Sequence, residues 1–163
     1  MNSDTTAPMR RIIMTKQFSR KRILIVDDDD SVRDMLARVL EEEGYETVRA
    51  AAGAQALDFA AHLRIDLVLL DLKLPGKSGW DTFEILTTDN PFLPVIIVTA
   101  RSNQIFTALS AGVAALLEKP LNFPKLIETV ETLLKESNEA RLARMAGRAG
   151  EFRYLPAEPK KKS

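Results

Sequence analysis

Residues 22–30 read RILIVDDDD, so that four consecutive apolar residues run directly into four consecutive aspartates. A short apolar run bounded by charge is typical of a strand that is buried on both faces of a parallel sheet. The next residues, 30–43, have apolar positions at helical spacing. We therefore predict a strand over residues 22–27 and a helix over residues 30–43, with Asp27 and Asp28 at the junction between them.

The same alternation continues through the middle of the chain. Further strands are predicted at residues 45–50, 65–70, 94–99 and 113–118, and further helices at residues 54–63, 80–88, 103–111 and 123–135. Five strands alternating with five helices predict an α/β fold, a doubly wound parallel sheet covered on both faces. In such a sheet, ligands bind at the carboxyl ends of the strands.

Composition excludes several kinds of functional site. The chain has 163 residues, no cysteine and a single histidine, His62. A disulfide scaffold, a thiolate metal site, a cysteine nucleophile and a histidine-rich metal site are therefore excluded. No apolar run approaches the roughly 20 residues of a membrane helix, and the first residues lack the apolar stretch of a secretory signal. We expect a cytoplasmic protein with no membrane partner.

Charge is unevenly spread along the chain. Residues 1–22 carry six bases and one acid, and residues 138–163 carry seven bases and three acids, so that an acidic middle lies between two basic arms. The pattern predicts a basic N-terminal arm over residues 1–21, a globular domain over residues 22–136 and a basic C-terminal tail over residues 137–163. The arms are either disordered, solvated ends or segments that dock on an acidic partner, on nucleic acid or on the domain itself.

The C-terminal tail contains two distinct parts. Residues 139–146 could extend the last predicted helix, with Gly147 and Gly150 ending it. The remainder, EFRYLPAEPKKKS at residues 151–163, places three large hydrophobic side chains in a setting rich in proline and lysine. That segment is either a partly helical or disordered end, or a docking peptide that folds onto the domain or a partner.

Polar and charged side chains lie at the ends of four predicted strands. Asp27 and Asp28 follow the first strand, Asp71 the third, Thr99 ends the fourth and Lys119 follows the fifth. Clustered carboxylates repel one another and need a cation, and oxygen ligands of this kind suit Mg²⁺. Asp71 could then act as a nucleophile toward phosphorus, while Mg²⁺, Lys119 and the Thr99 hydroxyl offset charge on the phosphoryl oxygens. Each residue taken singly has a structural explanation, such as helix capping, but their joint placement favours a site.

Four runs occurring in this order resemble the receiver domain of two-component response regulators: ILIVDDDDSVRDML, DLVLLDLKLPGKSGWD, PVIIVTA and GVAALLEKPL. The resemblance covers about residues 22–136. It implies a flavodoxin-like (βα)₅ fold with strand order 2-1-3-4-5. It also implies that Asp71 is the phosphoacceptor, that Asp28 binds Mg²⁺ directly, and that Asp27 binds it mostly through water.

The same resemblance implies roles for four further positions. Lys73 would lend its backbone carbonyl to the metal, and Thr99 would be the switch hydroxyl that follows the phosphoryl group. Lys119 would pair with the phosphorylated aspartate, and the bond from Lys119 to Pro120 would be cis.

Two departures from the family pattern affect switching and the loss of the phosphoryl group. Three residues before Lys119 the family has tyrosine or phenylalanine, whereas this chain has Leu116, which places the usual coupling between threonine and aromatic ring in doubt. Basic side chains occupy Lys73 and Arg101, positions that in this family flank the attacking water. We predict that Lys73 and Arg101 change the lifetime of the phosphoryl group.

The resemblance implies a response regulator that receives its phosphoryl group from a sensor histidine kinase or a histidine phosphotransfer protein. It would act on an unidentified downstream protein, and phosphorylation-dependent homodimerisation is one form that such action could take. We expect no direct nucleic-acid binding by this domain and no enzymatic turnover of an outside substrate. An alternative is the regulatory receiver fragment of a DNA-binding transcription factor, which a reading frame continuing past Ser163 would indicate. A phosphohydrolase of the haloacid dehalogenase type would need a second acid where this chain has Lys73.

Overall fold

Six parallel strands form one sheet in the order β2-β1-β3-β4-β5-β6 in a computed structural model that describes residues 20–147 and 152–160. The strands are β1 (Arg22–Val26), β2 (Glu46–Ala50), β3 (Leu67–Leu70), β4 (Val95–Thr99), β5 (Ala115–Glu118) and β6 (Arg153–Leu155). The first five have the predicted order 2-1-3-4-5, which confirms the predicted fold class, and β6 adds a sixth strand beside β5.

Helices cover both faces of this sheet. They are α1 (Asp30–Glu42), α2 (Gly53–His62), α3 (Gly79–Asp89), α4 (Ile105–Ala111), α5 (Phe123–Leu134) and α6 (Asn138–Met145). Buried side chains of α1 and α5 share one apolar cluster with one face of the strands, while those of α2, α3 and α4 share a second cluster with the other face. Every residue of β3 and β4 is buried, which explains why the strands read as continuous apolar runs.

The predicted elements all exist, and their ends differ from the predictions by at most two residues. The helix expected to extend α5 is instead separate, because the Ser137 hydroxyl accepts a hydrogen bond from the Ala140 N–H and starts α6 anew. Glu136, in the turn between the two helices, pairs with the buried Arg144 at 2.5 Å. This ion pair fixes α6 against the end of α5.

The sixth strand is the main addition to the predicted architecture. Its register pairs Leu116 of β5 with Tyr154, so part of the C-terminal tail does dock on the domain. Most of the N-terminal arm, residues 1–19, lies outside the described residues, and the expectation that it is disordered stays a prediction. Among the described residues, no helix is both long enough and apolar enough to span a membrane.

Candidate functional site

Strand β1 delivers two aspartates to the carboxyl edge of the sheet. Asp27 is 2% exposed, and its Oδ1 accepts a hydrogen bond from the Asp29 N–H at 2.9 Å. Asp29 in turn caps α1 by accepting from the N–H of Ser31, so its carboxylate is used locally. Asp28 is exposed and lies between these two. The run of aspartates therefore divides into helix-capping acids and acids that face the site.

Asp71 is brought beside them by the pairing of β3 with β1. Its N–H donates to the carbonyl of Val26 at 2.9 Å, and its side chain is nearly buried. The Lys73 N–H donates to Asp71 Oδ1 at 3.2 Å, so the backbone of the adjoining loop orients the carboxylate. The reactive carboxylate that the sequence predicted is held from two sides.

Lys119 follows β5, which lies two strands away from β3 in the sheet, and its side chain completes the cluster. Its Nζ donates to Asp27 Oδ2 at 2.8 Å and to Asp71 Oδ2 at 3.3 Å. Its backbone N–H donates to the carbonyl of Thr99 at 2.8 Å, and the bond to Pro120 is cis, as predicted. One ammonium group thus bridges two carboxylates that come from different strands.

Burial and charge act on these groups in different directions. Burial raises the pKa of Asp71, the charge of Asp27 adds to the effect, and the Lys73 N–H and the Lys119 charge offset only part of it. Burial alone would lower the pKa of Lys119, but the hydrogen bond to Asp27 and the charges of Asp71 and Asp27 outweigh it, so this pKa is raised. Lys119 therefore stays a cation, whereas the charge of ionised Asp71 is incompletely compensated.

The three carboxylates fit a divalent cation. One oxygen from each of Asp27, Asp28 and Asp71 lies within 4.8 Å of the others. Carboxylate oxygens without nitrogen or sulfur ligands are the donor set that Mg²⁺ prefers. A single ammonium in the same cluster leaves excess negative charge, which a divalent cation would offset.

The remaining predicted residues lie on β4 and β5 and in the loops that follow β3 and β4. Thr99 ends β4 and is fully buried, and its Oγ1 accepts from the Arg101 N–H at 3.0 Å. The side chains of Lys73 and Arg101 are exposed. Leu116 is fully buried on β5 and does not reach the surface. The structure thus brings Asp27, Asp71 and Lys119 into direct contact, with Asp28 adjoining.

Sequence reasoning missed Gly79, which lies beside the site. A Cβ atom there would lie 2.4 Å from Leu72 Cα and 2.5 Å from the carbonyl oxygen of Asp71, closer than real Cβ atoms approach. Its N–H donates to the Leu72 carbonyl at 3.0 Å. The absent side chain lets the start of α3 press on the loop after Asp71. The only sequence signal was a glycine after Ser78, the residue that caps α3.

Comparison with known sequences identifies relatives of this chain. The chain matches the family model of the response regulator receiver domain over residues 23–131. The DNA-binding response regulator MtrA of Mycobacterium leprae is 38% identical over 122 residues, which are 74% of this chain and 54% of MtrA. The polar-differentiation response regulator DivK of Brucella anthropi is 34% identical over 121 residues, which are 72% of this chain and 98% of DivK. The match therefore spans about half the length of MtrA and nearly all of DivK.

Two solved structures share the fold. A CheY-like response regulator receiver domain protein from Methanospirillum hungatei has a TM-score of 0.69 and 36% identity, with 71% of this chain and 94% of that chain covered. The response regulator TrrA from Thermotoga maritima, solved in complex with Mg²⁺-BeF, has a TM-score of 0.66 and 35% identity, with 69% and 98% covered. With a family model that matches well over half of its length and a relative more than 30% identical, this chain belongs to the response regulator receiver domain family.

Proposed function

We propose that this chain accepts a phosphoryl group on Asp71 and signals through it in a two-component phosphorelay. The observation that carries the proposal is the Lys119 ammonium that bridges Asp27 and Asp71, with Asp28 adjoining. The group combines a nucleophile, a fixed cation and oxygen ligands for a divalent metal within one cluster. A purely structural ion pair would not need three carboxylates for one lysine.

Transfer of the phosphoryl group requires little covalent chemistry from the protein. A carboxylate oxygen of Asp71 attacks the phosphorus of a phosphohistidine donor, and the P–N bond breaks as the O–P bond forms. The departing imidazole nitrogen keeps the electron pair and takes up a proton. Lys119 lies where it offsets charge on the phosphoryl oxygens, and the Thr99 hydroxyl is the proposed donor from β4. In a separate hydrolysis step, water attacks the same phosphorus and gives up a proton to solvent as the bond from Asp71 breaks, so that Asp71 leaves as a carboxylate and inorganic phosphate is the product.

The proposed cofactor is Mg²⁺, which when bound neutralises phosphoryl oxygen charge as a Lewis acid. Asp28 would bind it directly, Asp27 mostly through water, and Asp71 and the Lys73 carbonyl would complete the protein ligands. The donor set supports this assignment. TrrA, solved with Mg²⁺-BeF, supports it by similarity.

The proposed donor is a sensor histidine kinase or a histidine phosphotransfer protein, and the proposed target is a downstream protein. The cytoplasmic location expected from the sequence agrees with such partners. Self-phosphorylation and self-dephosphorylation would be the chain's only chemistry, so it would not be an enzyme acting on outside substrates. Phosphorylation-dependent dimerisation also stays a prediction.

The exposed bases near the site are proposed to tune the lifetime of the phosphoryl group. The Lys73 and Arg101 side chains are exposed while their backbone N–H groups bind Asp71 and Thr99. Replacing both by alanine keeps those backbone contacts and removes the charges. We expect the measured dephosphorylation rate to change, and an unaltered rate would contradict this role.

The test of the main proposal is intact-mass spectrometry of the full chain incubated with Mg²⁺ and phosphoramidate. We expect one added phosphoryl group on the wild type and none on Asp71→Asn. Asp66→Asn is the matched control, because Asp66 precedes the same strand at its opposite end. A wild type that gains no phosphoryl group, or an Asp71→Asn variant that gains one equally, contradicts the proposal.

A second candidate is the regulatory part of a DNA-binding transcription factor. The similarity to MtrA, a DNA-binding response regulator, supports this function, and the match covers 54% of the length of MtrA. The same mass spectra, recorded under native conditions, discriminate between the two functions. A dimer that appears only on phosphorylation favours the transcription-factor function, and a monomer favours action on a partner protein.

A further inference from the structure

The edge of β5 is occupied by the chain's own C-terminal segment, residues 152–160. Strand β6 pairs with β5 in parallel, with Ala115 opposite Arg153 and Leu117 opposite Leu155. Without that segment, β5 would be an edge strand with unpaired backbone N–H and C=O groups, which is a surface that binds extended peptides. The β5 edge is therefore a strand-binding site, and its occupant in this structure is known.

Side chains of the segment hold both faces of the edge. Phe152 packs against the apolar cluster that includes Leu116, and Leu155 packs against the cluster on the opposite face. The Tyr154 hydroxyl donates a hydrogen bond to Glu118, the last residue of β5. Phe152 and Leu155 thus pack against opposite faces of the sheet beside β5, and Tyr154 bonds the end of that strand.

The polar contacts of the segment fall on both sides of Lys119. Tyr154 contacts Glu118 before it, and the Glu158 N–H donates to the carbonyl of Pro120 after it at 3.0 Å. The Asn122 side-chain amide donates to the Glu158 carboxylate at 2.7 Å. The short stretch 118–122 therefore carries the lysine of the site and also the anchors of the C-terminal segment.

A second link connects this stretch to Thr99. Glu118 lies opposite Thr99 in the pairing of β4 with β5, and the Lys119 N–H donates to the Thr99 carbonyl at 2.8 Å. A movement of Thr99 or Lys119 toward a phosphoryl group would therefore act on the backbone that holds the segment. The paired part of the segment is a strand of only three residues, and its Tyr154 is 37% exposed, as is typical of segments that open locally.

We propose that phosphorylation of Asp71 releases residues 152–160 from the β5 edge. The inference rests on the proposed function and extends it to the output step. A phosphoryl group brings a charge of about −2 and three acceptor oxygens, which draw Lys119 away from its position between Asp27 and Asp71. Because the segment is fitted to the unphosphorylated position of residues 118–122, it binds the phosphorylated form less tightly. Coupling is reciprocal, so the docked segment also opposes phosphorylation.

Hydrogen–deuterium exchange of the full chain tests the release. With Mg²⁺ and phosphoramidate, we expect the amides of Arg153–Leu155 and of residues 115–117 to exchange at least about fivefold faster than without the donor. Asp71→Asn treated in the same way should show no change. Unchanged or slower exchange in wild type that carries the phosphoryl group overturns the inference.

Intact mass of the same sample separates the two possible failures. A phosphoryl group with unchanged exchange removes the release and leaves the proposed function standing. A missing phosphoryl group removes the proposed function and the release together.

A matched pair of variants tests the reciprocal effect. Tyr154→Phe loses only the hydroxyl that bonds Glu118, and Tyr45→Phe loses the same group from the chain's other tyrosine, which lies just before β2. We expect Tyr154→Phe to be phosphorylated about two- to fivefold faster than wild type and Tyr45→Phe to match wild type. If Tyr154→Phe increases exchange of the segment without changing the phosphorylation rate, the coupling between segment and site is refuted.

Discussion

Charged side chains lie at both ends of the strands of the sheet, but their arrangement differs. The amino ends of the strands are called the amino edge here, and the carboxyl ends the carboxyl edge. At the amino edge, each acid lies beside a base: Glu46 pairs with Arg22 at 3.1 Å, Asp66 with Arg64 at 3.3 Å, and Glu136 with both Arg144 at 2.5 Å and Arg141 at 3.7 Å. At the carboxyl edge, the ammonium of Lys119 pairs with the carboxylates of Asp27 and Asp71, and the Asp28 carboxylate adjoins them. Each of these acids at the amino edge thus has at least one base beside it, whereas at the carboxyl edge three clustered carboxylates have one paired ammonium.

The difference supports the proposal that the carboxyl edge is the functional one, while the charges of the amino edge join segments. Paired charges join segments, as Glu136 and Arg144 join α5 to α6, and they need no outside ion. Uncompensated, partly buried carboxylates lower the stability of the fold unless a cation binds. Two edges built on the same strands therefore respond in opposite ways when one charge is removed, and that contrast can be tested.

The largest effect is expected at the amino edge. Glu136→Gln keeps the shape of the side chain but leaves the buried guanidinium of Arg144 without an opposite charge. We expect the free energy of unfolding to fall by about 3 kcal/mol, because an uncompensated buried charge is costly. Urea denaturation measures this loss, and adding Mg²⁺ should not restore it. A loss below about 1 kcal/mol would mean that the pair is not what holds α6.

A steric effect comes next, at the carboxyl edge. Gly79→Ala places a methyl group against the backbone of Asp71 and Leu72, which cannot rotate away. We expect a loss of about 2 kcal/mol, together with slower phosphorylation because the Asp71 loop must shift. Gly53→Ala is the comparison: Gly53 also begins a helix, but its new methyl would clash with the hydroxyl of the buried Thr82, a side-chain atom that donates to the Ser78 carbonyl, and not with the backbone of the Asp71 loop. An equal slowing of phosphorylation in the two variants would contradict the special role of Gly79.

Removing a charge at the carboxyl edge should stabilise the protein. Asp71→Asn removes a carboxylate whose pKa is raised by burial, so without Mg²⁺ we expect a gain of about 1 kcal/mol at neutral pH. Saturating Mg²⁺ should stabilise wild type more than the variant. A variant that is less stable than wild type without Mg²⁺ would show that Lys119 fully compensates Asp71.

The sign of the pH dependence follows from the same shift. Because the folded chain binds the Asp71 proton more tightly than the unfolded chain, this group's contribution to stability is fully present below its usual pKa of 3.8. The contribution is lost as pH rises through the raised pKa. We therefore expect the advantage of Asp71→Asn over wild type, measured by urea denaturation without Mg²⁺, to grow over that window and to be constant above it. An advantage that shrinks as pH rises would contradict the raised pKa.

The sequence predicted the carboxyl edge well because its signals are local. Apolar runs locate the strands, and in a parallel sheet the residue after each run must lie at the same edge. This is why Asp71 and Lys119, 48 positions apart, were expected together and are found in contact. Helix ends were less exact, since capping by Ser137 depends on one hydroxyl contact.

The C-terminal additions were harder to predict for a physical reason. Strand β6 has three residues, two of them exposed, and is too short for the alternation of its side chains to show a period. Its stability comes from contacts with Glu118 and Pro120, which are distant in sequence. The close approach of Gly79 to Leu72 likewise depends on how α3 packs, which no local pattern reports.

The smallest effect is expected for an exposed pair at the amino edge. Arg22 and Glu46 join β1 to β2, but their side chains are 28% and 51% exposed, so water and salt screen their attraction. We expect Glu46→Gln to change the free energy of unfolding by less than about 0.5 kcal/mol, and high salt to reduce even that. Urea denaturation at low and high salt measures both. A loss comparable to that of Glu136→Gln would mean that pairing, rather than burial, sets the cost of removing a charge, and the contrast between the edges would then need another cause.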